Sequence, residues 1–110
     1  MVFNTGSTLL DAIVLAIVSQ EPQGTYGYRI TQEVRMVLEV SESTLYPVLR
    51  RLLKDGRLEA YDMEYAGRNR RYYKITPAGW VQLEICREEW VRYSEKVTSI
   101  LGPQPENRGE

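Results

Sequence analysis

Two groups of side chains have types and spacing suited to binding phosphate and base edges. Ser43, Tyr46, Arg50 and Lys54 follow one another at intervals of 3, 4 and 4, with Pro47 beside them. On a helix these intervals put hydroxyls and cations on one face. Hydroxyls bond phosphates or bases, and Arg50 has the planar fork that grips a guanine edge bidentately. Further along, Gly67 precedes Arg68, Arg70 and Arg71, three arginines within four residues and no acid among them. Gly67 permits a tight turn and a close backbone approach to a phosphate. Each group also has a plainer reading. Arg50, Arg51 and Lys54 complement the dipole at a helix C-terminus, and arginines at an exposed loop favour solubility.

A third group is apolar. Leu83, Cys86, Trp90, Tyr93, Val97 and Ile100 are spaced 3, 4, 3, 4 and 3, an a/d heptad seam that calls for a partner helix. Trp90 fills such a seam. With its symmetry mate it also presents flat faces that can sandwich a planar aromatic ligand. Cys86 reads as a small apolar filler, with redox sensing as the alternative.

Catalytic chemistry finds little to work with. The chain has no histidine and one cysteine. Histidine acid–base, triad and zinc schemes are excluded, as is an intramolecular disulfide. No nucleophile–base pair, Gly-rich phosphate loop or metal-ligand cluster is recognisable, so neither enzyme nor cofactor is expected. A lone cysteine fits a reducing, cytoplasmic setting. The run 12–18 is far short of a membrane span, which needs about 20 residues.

These groups need elements to position them. Leu10, Ile13, Val14, Ile17 and Val18 predict a first helix over about 8–20, with Thr8 and Asp11 as a variant capping box. Ala12, Leu15 and Ala16 make its other face apolar as well, which implies cover from a second subunit. A second helix is expected over about 26–39, on the stripe Ile30, Val34, Val37 and Leu38. A third spans about 42–55 on Leu45, Val48, Leu49, Leu52 and Leu53. Pro47 can kink it, and Gly56 stops it. Residues 57–65 and 70–76 read as two strands with 66–69 as the turn. Thr76-Pro77 opens a last helix reaching about Leu101, roughly 37 Å long at 1.5 Å per residue.

Length and charge set the frame. The chain of 110 residues suits one domain. Net charge is −1, yet residues 41–76 carry eight basic and five acidic side chains, so the positive charge sits with the two polar groups. The fold expected is mainly α with a β-hairpin. Residues 8–76 form a winged helix-turn-helix domain and 77–101 a dimerisation helix. Residues 1–7 are expected to form a loose arm and 102–110 a disordered tail. A helix fits the DNA major groove, and a hairpin tip reaches a neighbouring phosphate or the minor groove.

The stretches Tyr26-Gly27-Tyr28-Arg29-Ile30, Ser43-Thr44-Leu45-Tyr46-Pro47-Val48-Leu49-Arg50-Arg51-Leu52 and Arg71-Tyr72-Tyr73-Lys74-Ile75-Thr76-Pro77-Ala78-Gly79 resemble the PadR family of transcriptional regulators. The resemblance covers about residues 9–101 and points to the smaller subfamily with a single C-terminal helix. It implies a homodimeric repressor in which the last helix packs on the first and last helices of the other subunit. With the residues of the helix face and hairpin tip above, the DNA-contacting set expected is Tyr26, Ser43, Thr44, Tyr46, Arg50, Lys54, Gly67, Arg68, Arg70 and Arg71. Tyr26 stands where the family often has histidine and offers a hydroxyl to phosphate.

The resemblance also implies a planar aromatic or phenolic effector held by Trp90 with Ala12, Leu15 and Ala16. One departure stands against it: Ser94 occupies a place where an acid helps bind cationic drugs. The expected partners are therefore double-stranded DNA with an inverted-repeat operator, a second copy of the chain, and such an effector. The alternative is a winged-helix module that binds proteins and no DNA.

Overall fold

A computed structural model describes residues 7–102, with side chains from residue 8. The element order is α1 (Ser7–Ser19), β1 (Thr25–Tyr26), α2 (Gly27–Arg35), α3 (Glu42–Lys54), β2 (Leu58–Tyr65), β3 (Arg68–Ile75) and α4 (Pro77–Leu101). The antiparallel sheet has the order β1-β3-β2. This is the mainly helical, winged arrangement expected, with a third short strand that the sequence reading lacked.

One core holds the elements together. Val14, Leu15 and Val18 of α1 meet Ile30 and Val34 of α2 and Leu45, Leu49 and Leu52 of α3, all fully buried. Leu58, Tyr73 and Ile75 close it from the sheet, and Leu83 from α4. In-register pairing explains the sheet's contribution: Leu58 faces Ile75 and Ala60 faces Tyr73, so alternate residues of both strands point inward.

The helix boundaries have local causes. Ser41 caps α3 by accepting from the Thr44 amide. At the other end, Arg57 N–H bonds Leu52 C=O and Gly56 N–H bonds Leu53 C=O, a Schellman closure with Gly56 at φ 75°. Pro47 lies inside α3, which remains one helix. Thr76 caps α4 by accepting from Gly79 N–H at 3.0 Å while donating to Gly56 C=O at 2.6 Å.

Several expectations are corrected. Thr8 lies within α1 and does not cap it; Asp11 instead accepts a hydrogen bond from Arg51. Helix α2 ends at Arg35, four residues early, because the chain must turn back before the Ser41 cap; Met36 and Val37 are exposed. The hairpin turn is only Ala66-Gly67, with φ of 55° and 78°, and Arg68 already pairs with Tyr65. Two positive φ values match the twist of the flanking strands, as in a type I′ turn. Ser7 opens α1, and the rest of the expected arm lies outside the described residues. Gly102 caps α4, and the remainder of the expected tail likewise lies outside them.

Candidate nucleic-acid interface

Helix α3 turns two faces to different environments. Leu45, Val48, Leu49 and Leu52 are buried, while Ser43, Thr44, Tyr46, Pro47, Arg50 and Lys54 are exposed. The separation follows from a 3.6-residue repeat in which every apolar position meets the core. At the N-terminus of α3 the hydroxyls gather: Ser41 Oγ lies 2.8 Å from Ser43 Oγ and 3.2 Å from Thr44 Oγ1.

Beside α3 the hairpin projects its cations. A cleft of about 580 Å³ is lined by Tyr26, Gly27 and Tyr28 at the start of α2, Tyr46 of α3, and Arg68, Asn69, Arg70, Arg71 and Tyr73 of β3. The fold thus brings the hydroxyl of Tyr46 together with three arginines that lie more than twenty residues later in sequence. Gly67 sits exposed at the turn. Arg50 and Lys54 continue the exposed face of α3 one and two turns beyond Tyr46.

Tyr73 ties the two sides together electrostatically. Burial pushes its phenol above the ordinary value, and the charges of Arg71 and Arg50 oppose the rise. The start of α2 adds another feature. Tyr26 occupies the N-cap position and makes no side-chain capping bond, and Tyr26, Gly27 and Tyr28 line the cleft. Sequence reasoning missed Gly27, Tyr28, Asn69 and Tyr73 as lining residues. Tyr73 could have been found from strand alternation; the other three depend on how α2 meets the β3 edge.

Arg51 and Arg70 depart from the polar face. Arg51 turns to α1 and pairs with Asp11. Arg70 is half-buried, its guanidinium 4.9 Å from the Tyr26 ring centre and 5.0 Å from that of Tyr65.

A second concavity, about 590 Å³ and mainly apolar, lies between α1 and α4. Ala12 and Ala16 line it together with Cys86 and Trp90, and Val37 and Leu38 border it after α2. Leu15 does not. It is fully buried in the core beside Val14 and Val18, because the inward face of α1 is wide enough to include it.

The heptad seam is divided as well. Leu83 and Cys86 are 1% exposed within a single chain, where α1 packs against the first half of α4. Burial also raises the Cys86 thiol above its ordinary value, so it stays protonated at neutral pH. Beyond that point Trp90 is 45% exposed and Ile100 76%, with Tyr93 and Val97 half-buried.

Among the described residues there is no group of three or more His, Cys, Asp or Glu side chains that could hold a metal. Among them no helix is long and apolar enough to cross a membrane.

Comparison with known proteins gives a consistent result. The profile of the Transcriptional regulator PadR-like family matches residues 14–85. The chain is 39% identical over 85 residues to Transcriptional regulator Rv3488 of Mycobacterium tuberculosis, covering 76% of this chain and 77% of that one. Among solved structures, smu.1704 from Streptococcus mutans superposes with a TM-score of 0.81 at 34% identity, covering 96% of this chain and 100% of that chain. The PadR-like transcriptional regulator BC4206 from Bacillus cereus superposes with a TM-score of 0.76 at 32% identity, covering 87% of this chain and 94% of that chain. The family and its regulators are not enzymes.

Proposed function

Since this chain belongs to the PadR-like family of transcriptional regulators, we propose that it is a cytoplasmic, homodimeric DNA-binding repressor. One observation supports the DNA reading most: Tyr46, on the exposed polar face of α3, and Arg68, Arg70 and Arg71 of the hairpin line one cleft. In this reading α3 enters the major groove. Arg50 reads a guanine edge, and Ser43, Thr44 and Tyr46 bond bases or phosphates. Lys54, Arg68 and Arg71 neutralise phosphates, and the Gly67 backbone follows the strand. The uncapped start of α2, with Tyr26 beside it, receives a further phosphate, since helix N-termini favour anions.

The distal part of the α4 seam, Trp90, Tyr93, Val97 and Ile100, is the surface a second copy covers. Residues 77–101 then act as the dimerisation helix, and 8–76 as the DNA-binding unit. A two-fold dimer requires an inverted-repeat operator with half-sites about 34–36 Å apart. The apolar groove beside Trp90 has the volume of a small-molecule site, for which roughly 300–1,000 Å³ is usual. A planar aromatic effector seated there against Ala12, Ala16 and Trp90 releases DNA if it binds the free form more tightly than the DNA-bound form.

The test is a fluorescence-anisotropy titration with DNA from upstream of the protein's own coding region, followed by selection from random sequences. Tight binding that weakens steeply with salt, and that Arg50→Ala and Arg68→Ala both impair, is expected. Binding that never exceeds that of random DNA, after selection, overturns the reading in favour of a protein-binding module.

A further inference from the structure

We infer that Arg70 is a positioning residue that clamps the hairpin to the strand leading into α2, leaving phosphate contact to its neighbours Arg68 and Arg71. The inference rests on the DNA-binding reading above and refines the role of one residue within it.

The argument begins with register. Strand β1 has two residues, and its pairing with β3 ends at Tyr26 opposite Tyr72. The hairpin continues for several residues beyond that point, with Met63 opposite Arg70 and Tyr65 opposite Arg68. Side chains alternate along β3. Tyr73 and Ile75 face the core, so Tyr72 and Arg70 share the outer face.

That outer face carries a continuous row across all three strands. The Tyr26 ring meets Tyr72 edge-on at 5.8 Å, and Tyr72 stacks on Tyr61 at 5.7 Å with 13° between planes. Tyr61 anchors the far side by donating to the Gln23 carbonyl. Arg70 extends the row toward the tip. Tyr26 lies diagonally across the end of β1 and Tyr65 diagonally across β2, both within reach of a long side chain. A guanidinium over aromatic faces gains from both ring quadrupoles. It supplies cross-strand contact where β1 has already turned into α2, so the wing keeps a fixed angle to the helix-turn-helix. Arg68 at the turn and Arg71 on the other face are both exposed; Arg71 lies beside the Tyr73 hydroxyl, and the two cation–ring contacts belong to Arg70.

Salt dependence distinguishes clamping from phosphate contact. Each phosphate neutralised contributes about 0.9 to the slope of log affinity against log salt. Slopes are measured on the selected operator with the full chain and with Arg68→Ala, Arg70→Met, Tyr65→Leu, Tyr65→Phe and the Arg70→Met/Tyr65→Leu pair. Amide hydrogen exchange of the free proteins reports hairpin order without DNA.

Arg68→Ala is expected to flatten the slope by about 0.9 per protomer. Arg70→Met and Tyr65→Leu are each expected to weaken binding roughly threefold to tenfold at unchanged slope. The double variant is expected to be no weaker than Arg70→Met, because Tyr65→Leu removes only a contact that Arg70→Met already removes. Tyr65→Phe keeps the ring and is expected to behave as the parent. Faster exchange in the hairpin is expected for Arg70→Met, Tyr65→Leu and the pair, and not for Arg68→Ala or Tyr65→Phe.

Arg70→Met with a slope flattened as in Arg68→Ala, and unchanged exchange, overturns the inference and makes Arg70 a phosphate ligand. A parent protein without salt-sensitive binding overturns the DNA reading itself. Exchange results still show whether the clamp orders the hairpin.

Discussion

Asp11 of α1 accepts a hydrogen bond from Arg51 of α3 across 40 residues of sequence. The pair joins the helix that borders the apolar groove to the helix that presents the polar row. Neighbouring Arg50 faces outward, so adjacent arginines have opposite tasks. The Asp11 side chain is 23% exposed and that of Arg51 41%, so solvent screens the attraction.

Burial raises the Asp11 carboxyl above its ordinary value of 3.8, although Arg51 pulls it down. The folded state therefore holds this proton more tightly than the unfolded state. The Asp11 contribution is fully present below the unfolded value and is lost as pH rises through the folded one. Asp11→Asn is expected to remove this decline while keeping an acceptor for Arg51. At neutral pH it should change stability by no more than about 1 kcal/mol. Urea midpoints of parent and variant across the acidic range check this. A parent that gains stability relative to the variant as pH rises would show that the Arg51 charge dominates.

Gly79 is held against the chain at the start of α4. A Cβ there would lie 2.1 Å from the Arg57 carbonyl oxygen and 2.7 Å from Ile75 Cγ1. Gly79→Ala is expected to cost about 1–3 kcal/mol, although alanine favours helices elsewhere. A thermal midpoint equal to the parent's would mean that α4 shifts without cost.

Ala66 adopts a φ of 55° in the hairpin turn, a conformation that asparagine and glycine accept more readily. Ala66→Asn creates an Asn-Gly turn and is expected to stabilise the fold by about 0.5–1 kcal/mol. Thermal melts check the rise, and Ala66→Val should move the midpoint down.

The exposed end of the seam and its buried start predict different effects on assembly. Val97→Glu and Ile100→Glu are expected to yield monomers in sedimentation experiments at concentrations where the parent is a dimer. Cys86→Ala is expected to leave the dimer intact, because α1 already covers Cys86. Dimers that persist with both glutamates would place the interface elsewhere.

Planar phenolic compounds are expected to quench Trp90 fluorescence in a Trp80→Phe background. Ala12→Leu, which fills the groove with a larger side chain, is expected to abolish the quenching while DNA binding persists. Quenching unaffected by Ala12→Leu would separate the ligand from this groove.

The sequence by itself determined the elements whose signals are local. The leucine stripe of α3 sets its period, Gly56 closes it, and Thr76-Pro77 starts α4. Alternation and the Gly67 turn mark the hairpin, and the exposed row of Ser43, Tyr46, Arg50 and Lys54 follows from the same 3.6-residue repeat. Tertiary structure decided what depends on neighbours distant in sequence. Two residues of β1 have no readable period, and they become a strand only by pairing with Tyr72 and Tyr73. Asp11 looked like a cap until Arg51 lay beside it. Leu15 joined the core and Ala12 the groove because packing, not hydrophobicity alone, set the rotation of α1. Arg68, Arg70 and Arg71 look alike in sequence. Their surroundings differ because alternation and the tyrosines of two other strands surround only Arg70 with rings.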